Sequence, residues 1–101
     1  MIIEVLYFEG CPNHPPTLEL ARQVLGELGL AGEIREVRVE TAEDAARERF
    51  LGSPSVRVNG EDIEPEVRER TDFGLSCRIY AGGGVPPKEL LVTALSAGAS
   101  Q

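Results

Sequence analysis

The sequence predicts one α/β domain in the order β-α-β-α-β-β-α, on three observations. Residues 2 to 8 form a nearly unbroken apolar run with β-branched and aromatic members, the pattern of a central strand covered on both faces. Three later stretches repeat their apolar residues at three- and four-residue spacing, as helices with one buried side do. Asn59-Gly60, after a short alternating segment, is the strongest local signal for a hairpin.

After Phe8 the character changes abruptly. Glu9-Gly10-Cys11-Pro12-Asn13-His14-Pro15-Pro16 is a loop of turn residues whose prolines suit the first turn of a helix, where a missing N–H costs nothing. The helix that follows buries Leu18, Ala21, Leu25 and Leu28, widened by Val24, and Gly29 stops it. Across 33–40, Val37 and Val39 alternate with Glu36 and Arg38, which suits a strand nearer the sheet edge. Thr41 is an N-cap with Asp44 three residues on, and Ala42, Ala45, Ala46 and Phe50 form the inner face of a short helix that Gly52 closes.

Ser53-Pro54 then bends into the alternating segment Ser55-Val56-Arg57-Val58 ahead of the hairpin. The return strand falls at Ile63 or, alternatively, at Cys77-Arg78-Ile79-Tyr80, with a charged surface excursion between. Ala81 to Gly84 is a flexible break. Pro86-Pro87-Lys88-Glu89 opens a last helix with Leu90, Leu91, Ala94 and Leu95 inward, and residues 96–101 are expected to fray.

With 101 residues and 42% hydrophobic content, the chain has the size of a single domain, 1–101. A net charge of -7, with no basic cluster interleaved with aromatics, argues against a nucleic-acid partner. The apolar start lacks the basic region and cleavage site of a signal peptide, and no apolar run approaches the ~20 residues that cross a bilayer. The expectation is a cytoplasmic protein without a membrane partner. Two cysteines are too few for a disulfide framework; in a reducing compartment such thiols are catalytic, metal-ligating or simply buried.

Cys11 is the first candidate for chemistry, because the N-terminal end of a helix favours the reactive thiolate. His14, the single histidine, is a candidate to donate to that thiolate, carry a proton or ligate a metal; its plain alternative is an exposed loop residue. Cys77 on a late strand is expected to point inward as a small hydrophobe. It becomes a resolving thiol, or a second ligand for a soft metal, if its Cα lies within about 7 Å of that of Cys11. The charges from Arg57 to Asp72 are expected to be solvated, with Asp72 a minor candidate for an acid. Gly82-Gly83-Gly84 lacks the companions of a phosphate loop and is a hinge or turn.

With its Gly-Cys-Pro-Asn-His, Gly-Ser-Pro-Ser-Val-Arg-Val-Asn-Gly and Leu-Ser-Cys-Arg-Ile-Tyr blocks, the chain resembles the thioredoxin-like superfamily in its short glutaredoxin-like form. Within it, the chain looks like small proteins labelled alkylmercury-lyase-like. The resemblance implies a mixed four-stranded sheet flanked by helices, Cys11 as nucleophile and Pro54 as a cis-proline facing it. It further implies Pro12, Ser53, Pro54 and Ser55 as the substrate-binding edge. His14 stands where the second cysteine of a Cys-x-x-Cys motif would be, so a monothiol mechanism or a distant partner thiol is required. The implied function is a thiol-dependent oxidoreductase or thiol-transfer protein without a cofactor, acting on a thiol or disulfide of a protein or small molecule. The alternatives are a soft-metal protein using Cys11 and Cys77, and a non-catalytic adaptor.

Overall fold

Ile2–Tyr7 forms strand β1, inside a four-stranded mixed open sheet. The structure, a computed structural model, describes residues 1–100. β1 pairs in parallel with β2 (Glu33–Arg38) and antiparallel with β3 (Ser55–Val58), which pairs antiparallel with β4 (Glu61–Asp62). The strand order is β2-β1-β3-β4, with β2 and β4 at the edges. The described residues also form the helices α1 (His14–Glu27), α2 (Ala42–Glu48) and α3 (Lys88–Ala99) and a 3-10 turn at Pro65–Val67. The order β-α-β-α-β-β-α is the one predicted.

Alternation along β1 divides the core. Ile3 and Val5 join Val56 and Val58 of β3 on one face, where Leu18 and Val24 of α1 and Leu91 and Leu95 of α3 cover them. Leu6 points to the other face and meets Val39, Ala45 and Phe50 around α2. Each such side chain contributes about 1.5–3 kcal/mol when fully buried. The covering on both faces explains why β1 has so few polar residues.

Local signals hold at several ends. Pro15 and Pro16 lie in the first turn of α1, and Gly29 follows its cap with φ +64°. Thr41 Oγ1 accepts a hydrogen bond from the Asp44 N–H at 3.0 Å. Asn59 and Gly60 both take positive φ, 52° and 86°, as a primed two-residue hairpin turn demands.

Other expectations are corrected. The return strand is Glu61–Asp62, ending just before Ile63, and Cys77–Tyr80 forms no strand in the sheet. α2 ends at Glu48 on a left-handed Arg49 rather than at Gly52, and Ala42 and Ala46 are exposed. Helix α3 does not fray at Ser96. Its Gly98 is buried against Val58 and Met1, and the Asn59 amide donates to the Gly98 carbonyl at 3.2 Å, which holds the helix as far as Ala99. Gln101 lies outside the described residues. The triple glycine is a turn: Tyr80 and Gly83 exchange two backbone hydrogen bonds at 2.7 and 3.0 Å.

Candidate functional site

The loop leaving β1 turns at once. The Cys11 N–H bonds the Phe8 carbonyl at 3.3 Å, and Gly10 sits inside this turn at φ +84°, a conformation costly for any side chain. The Cys11 carbonyl in turn accepts from the His14 N–H, so Cys11 lies two residues ahead of the α1 cap, Asn13. Its side chain is buried, with 6% of the residue exposed, and Sγ makes no hydrogen bond among the described residues. Pro12 beside it is exposed.

His14 does not reach Cys11 by a hydrogen bond. Its ring stacks on Tyr7, with centroids 3.6 Å apart and planes 2° from parallel. Its Nε2 lies 2.9 Å from Glu36 Oε1 but out of line for a hydrogen bond, so this is an ion-pair distance without the directional bond. The histidine thus ties the start of α1 to β1 and β2.

Ser53 is the joint between the two cysteine segments. The Ser53–Pro54 peptide is cis, and both residues are buried. Ser53 Oγ accepts from the Phe8 N–H at 3.4 Å, at the root of the Cys11 loop. On its other side the Ser53 N–H donates to Ser76 O at 2.8 Å and the Ser53 carbonyl accepts from the Arg78 N–H at 2.9 Å, so the backbone of Cys77 runs alongside it. Both cysteines are free thiols.

Cys77 is exposed, which corrects the inward orientation expected of it. Segment 77–80 does alternate, but in the phase opposite to hydrophobicity: Cys77 and Ile79 face solvent, Ile79 to 74%, while Arg78 and Tyr80 are buried. A buried ion-pair network sets that phase. Arg78 reaches both oxygens of Asp62 at 2.7 Å, Glu64 Oε1 at 2.8 Å and Ser55 Oγ at 3.1 Å, and its guanidinium lies 4.5 Å from the Tyr80 ring centroid. Ser55 Oγ donates to Gly52 O, and Tyr80 Oη donates to the Pro54 carbonyl at 2.7 Å. The Gly52, Ser53 and Pro54 carbonyls and both serine hydroxyls of the proline turn therefore each have a hydrogen-bond partner.

Burial opposes the charge on Arg78 more than any single neighbour favours it, yet its hydrogen bonds to Asp62 and Glu64 and the attraction of Asp62 and Tyr80 together outweigh it and hold the guanidinium more firmly protonated than usual. Burial likewise pushes the Tyr80 phenol well above its ordinary range, against the pull of Arg78. The expectation that the 57–72 charges are all solvated therefore fails at Asp62. Asp72 is exposed, and its hydrogen bonds from Arg70 lower its carboxyl to about 2, which leaves it ionised and unsuited to deliver a proton. The sequence signal for the network was an acid next to buried Ile63 and an arginine within an alternating segment, neither of which has an apolar pattern to give it away.

Among the described residues no group of three or more His, Cys, Asp or Glu side chains is placed to hold a metal ion. Among the described residues no helix is long and apolar enough to cross a membrane. Comparisons with protein-family models, with curated proteins and with solved structures find no match, so the residues themselves must carry the functional reading.

Proposed function

We propose that this is a thioredoxin-like domain that acts through thiols, with Cys11 as the attacking sulfur and Cys77 as the exposed second thiol. The observation that supports this best is the Ser53 joint: one buried residue beside a cis-proline bonds the root of the Cys11 loop through its side chain and the Cys77 segment through its backbone. In the proposed reaction the Cys11 thiolate attacks one sulfur of a disulfide, forming a mixed disulfide and releasing the other sulfur as a thiolate. Cys77 then attacks the Cys11 sulfur, freeing the bound half as a thiol and leaving a Cys11–Cys77 disulfide that two external thiols reduce, or a thiol from solution attacks the bound half's sulfur, forming a new disulfide with it and releasing Cys11 as a thiolate. No cofactor enters. The small exposure of Cys11 requires the disulfide sulfur to be presented on an extended, unencumbered segment. Exposed Leu75 and Ile79 on either side of Cys77 suit a protein substrate with an apolar contact.

The test is intact mass after treatment of the folded protein with glutathione disulfide, comparing wild type, Cys11→Ser and Cys77→Ser. A glutathione adduct on Cys77→Ser that free glutathione removes supports the proposal. If Cys77→Ser is modified only after unfolding in urea, Cys11 is an inert buried residue and the proposal fails. Stoichiometric uptake of a mercuric ion by an otherwise unreactive wild type would instead favour the soft-metal alternative.

A further inference from the structure

Ten basic side chains share this chain with seventeen acidic ones, and eight of the ten have a carboxylate within 4.0 Å. The two that have none among the described residues, Arg49 and Arg57, line the same cleft. It measures about 210 Å³ and lies between the C-terminal end of α2, the β3–β4 hairpin and the segment from Val67 to Phe73. None of its lining residues belongs to the Cys11 loop or the Ser53–Pro54 turn.

The local charge is opposite to that of the whole molecule. Arg57 donates to the terminal carbonyls of α2, those of Glu48 and, at 2.7 Å, Arg49, which carry only partial charge. Glu4 stands opposite Arg57 in the β1–β3 register but forms no ion pair with it. Arg49, held in the left-handed conformation that ends α2, places its guanidinium 5.2 Å from the centroid of the Phe73 ring. The other lining charges are already matched: Arg68 with Glu61, Arg70 with Asp72, and Asp62 with Arg78. Among the described residues neither of the two guanidiniums has a carboxylate partner, and an aromatic wall stands beside Arg49.

We propose that this cleft binds a small dianionic oxyanion of the phosphate monoester class. Two guanidiniums lining one cleft, neither with a carboxylate partner among the described residues, match two negative charges on one compact group, and their forked donors fit phosphate oxygens. The Phe73 wall gives the organic part of the ester an apolar flank. A site built on exposed charge is salt-sensitive, so it is probed at low ionic strength.

The experiment is an NMR titration of the full chain with inorganic phosphate, phenyl phosphate and succinate, with sodium chloride at matched ionic strength as the reference. Saturable shifts are expected at Arg49, Arg57 and Phe73, with phenyl phosphate tighter than inorganic phosphate. Arg49→Gln should weaken binding at least tenfold, whereas Arg35→Gln, an ion-paired arginine on β2, should leave it unchanged. Shifts reproduced by chloride, or equal losses in the two variants, would overturn the site. Succinate binding as tightly as phosphate would overturn the assignment to phosphate esters.

Discussion

Replacing Arg78 with Met tests whether the buried ion-pair network sets the shape of the proline turn. The substitution keeps much of the volume but strands Asp62, whose side chain is 9% exposed and accepts two 2.7 Å bonds from the guanidinium. Removing one partner of such a buried pair costs about 3–5 kcal/mol, because the remaining charge loses its compensation. Loss of the cation–π contact with Tyr80 adds about 0.5–2 kcal/mol. A domain of this size is stable by roughly 5–15 kcal/mol, so the variant gives up about a quarter or more, and its Tm should fall by more than about 12 °C. Urea unfolding followed by circular dichroism measures the loss. Asp62→Leu combined with Arg78→Met should recover most of it, since an apolar pair needs no charge compensation. About 1 kcal/mol should remain for the Glu64 N–H, which bonds Asp62 at 2.9 Å. An Arg78→Met cost below about 1 kcal/mol, or single-variant costs that simply add in the double variant, would refute the reasoning.

Because the folded Tyr80 phenol ionises above the ordinary value of 10.0, its stabilisation is complete below about pH 10 and is lost as pH rises above it, at up to about 1.4 kcal/mol per pH unit. Urea midpoints between pH 8 and 11 should show the decline, and Tyr80→Phe should remove this contribution while costing about 1–3 kcal/mol at pH 7, since Pro54 O loses its donor. Gly98→Ala would drive a methyl into Val58 Cγ1 and should cost about 1–3 kcal/mol, measured by thermal unfolding, with partial relief when Val58→Ala is added. Thr41→Ala removes the bond to the Asp44 N–H and should cost about 1 kcal/mol in the same assay. With an aromatic disulfide reagent, the exposed Cys77 should react quickly and the buried Cys11 more slowly in the native protein, and Cys77→Ser should abolish the fast phase while leaving the slow one.

Most of the frame was legible because its signals are local. Thr41, Gly29, Asn59 and Gly60 each mark an end or a turn by the backbone conformation or cap they supply, and all four serve as expected. The apolar periodicity of α1 and α3 likewise fixed which faces are buried. What could not be read was what long-range polar pairing decides. Arg78 and Asp62 lie sixteen residues apart, and by composition each belongs on the surface; only their mutual hydrogen bonds make burial tolerable. That pairing inverted the phase of 77–80 and so put Cys77 in solvent. In the site, the positions of Cys11 at the strand-to-helix junction and of Pro54 in a bend ahead of β3 were legible, while the engagement of His14 depends on Glu36 from a neighbouring strand. The isolated arginines show only when every other basic residue has been matched to its carboxylate.

The two edges of the sheet bear on how the protein behaves in crowded solution. β4 is only two residues long, and β2 sets Glu33, Arg35, Glu36 and Arg38 along its length. A second chain trying to extend the sheet would find almost no backbone to zip against on one side. On the other it would meet alternating charges of both signs, which would have to align with its own. Association through these borders is therefore disfavoured even at high concentration, and any complex the protein forms must use its loops and helical faces.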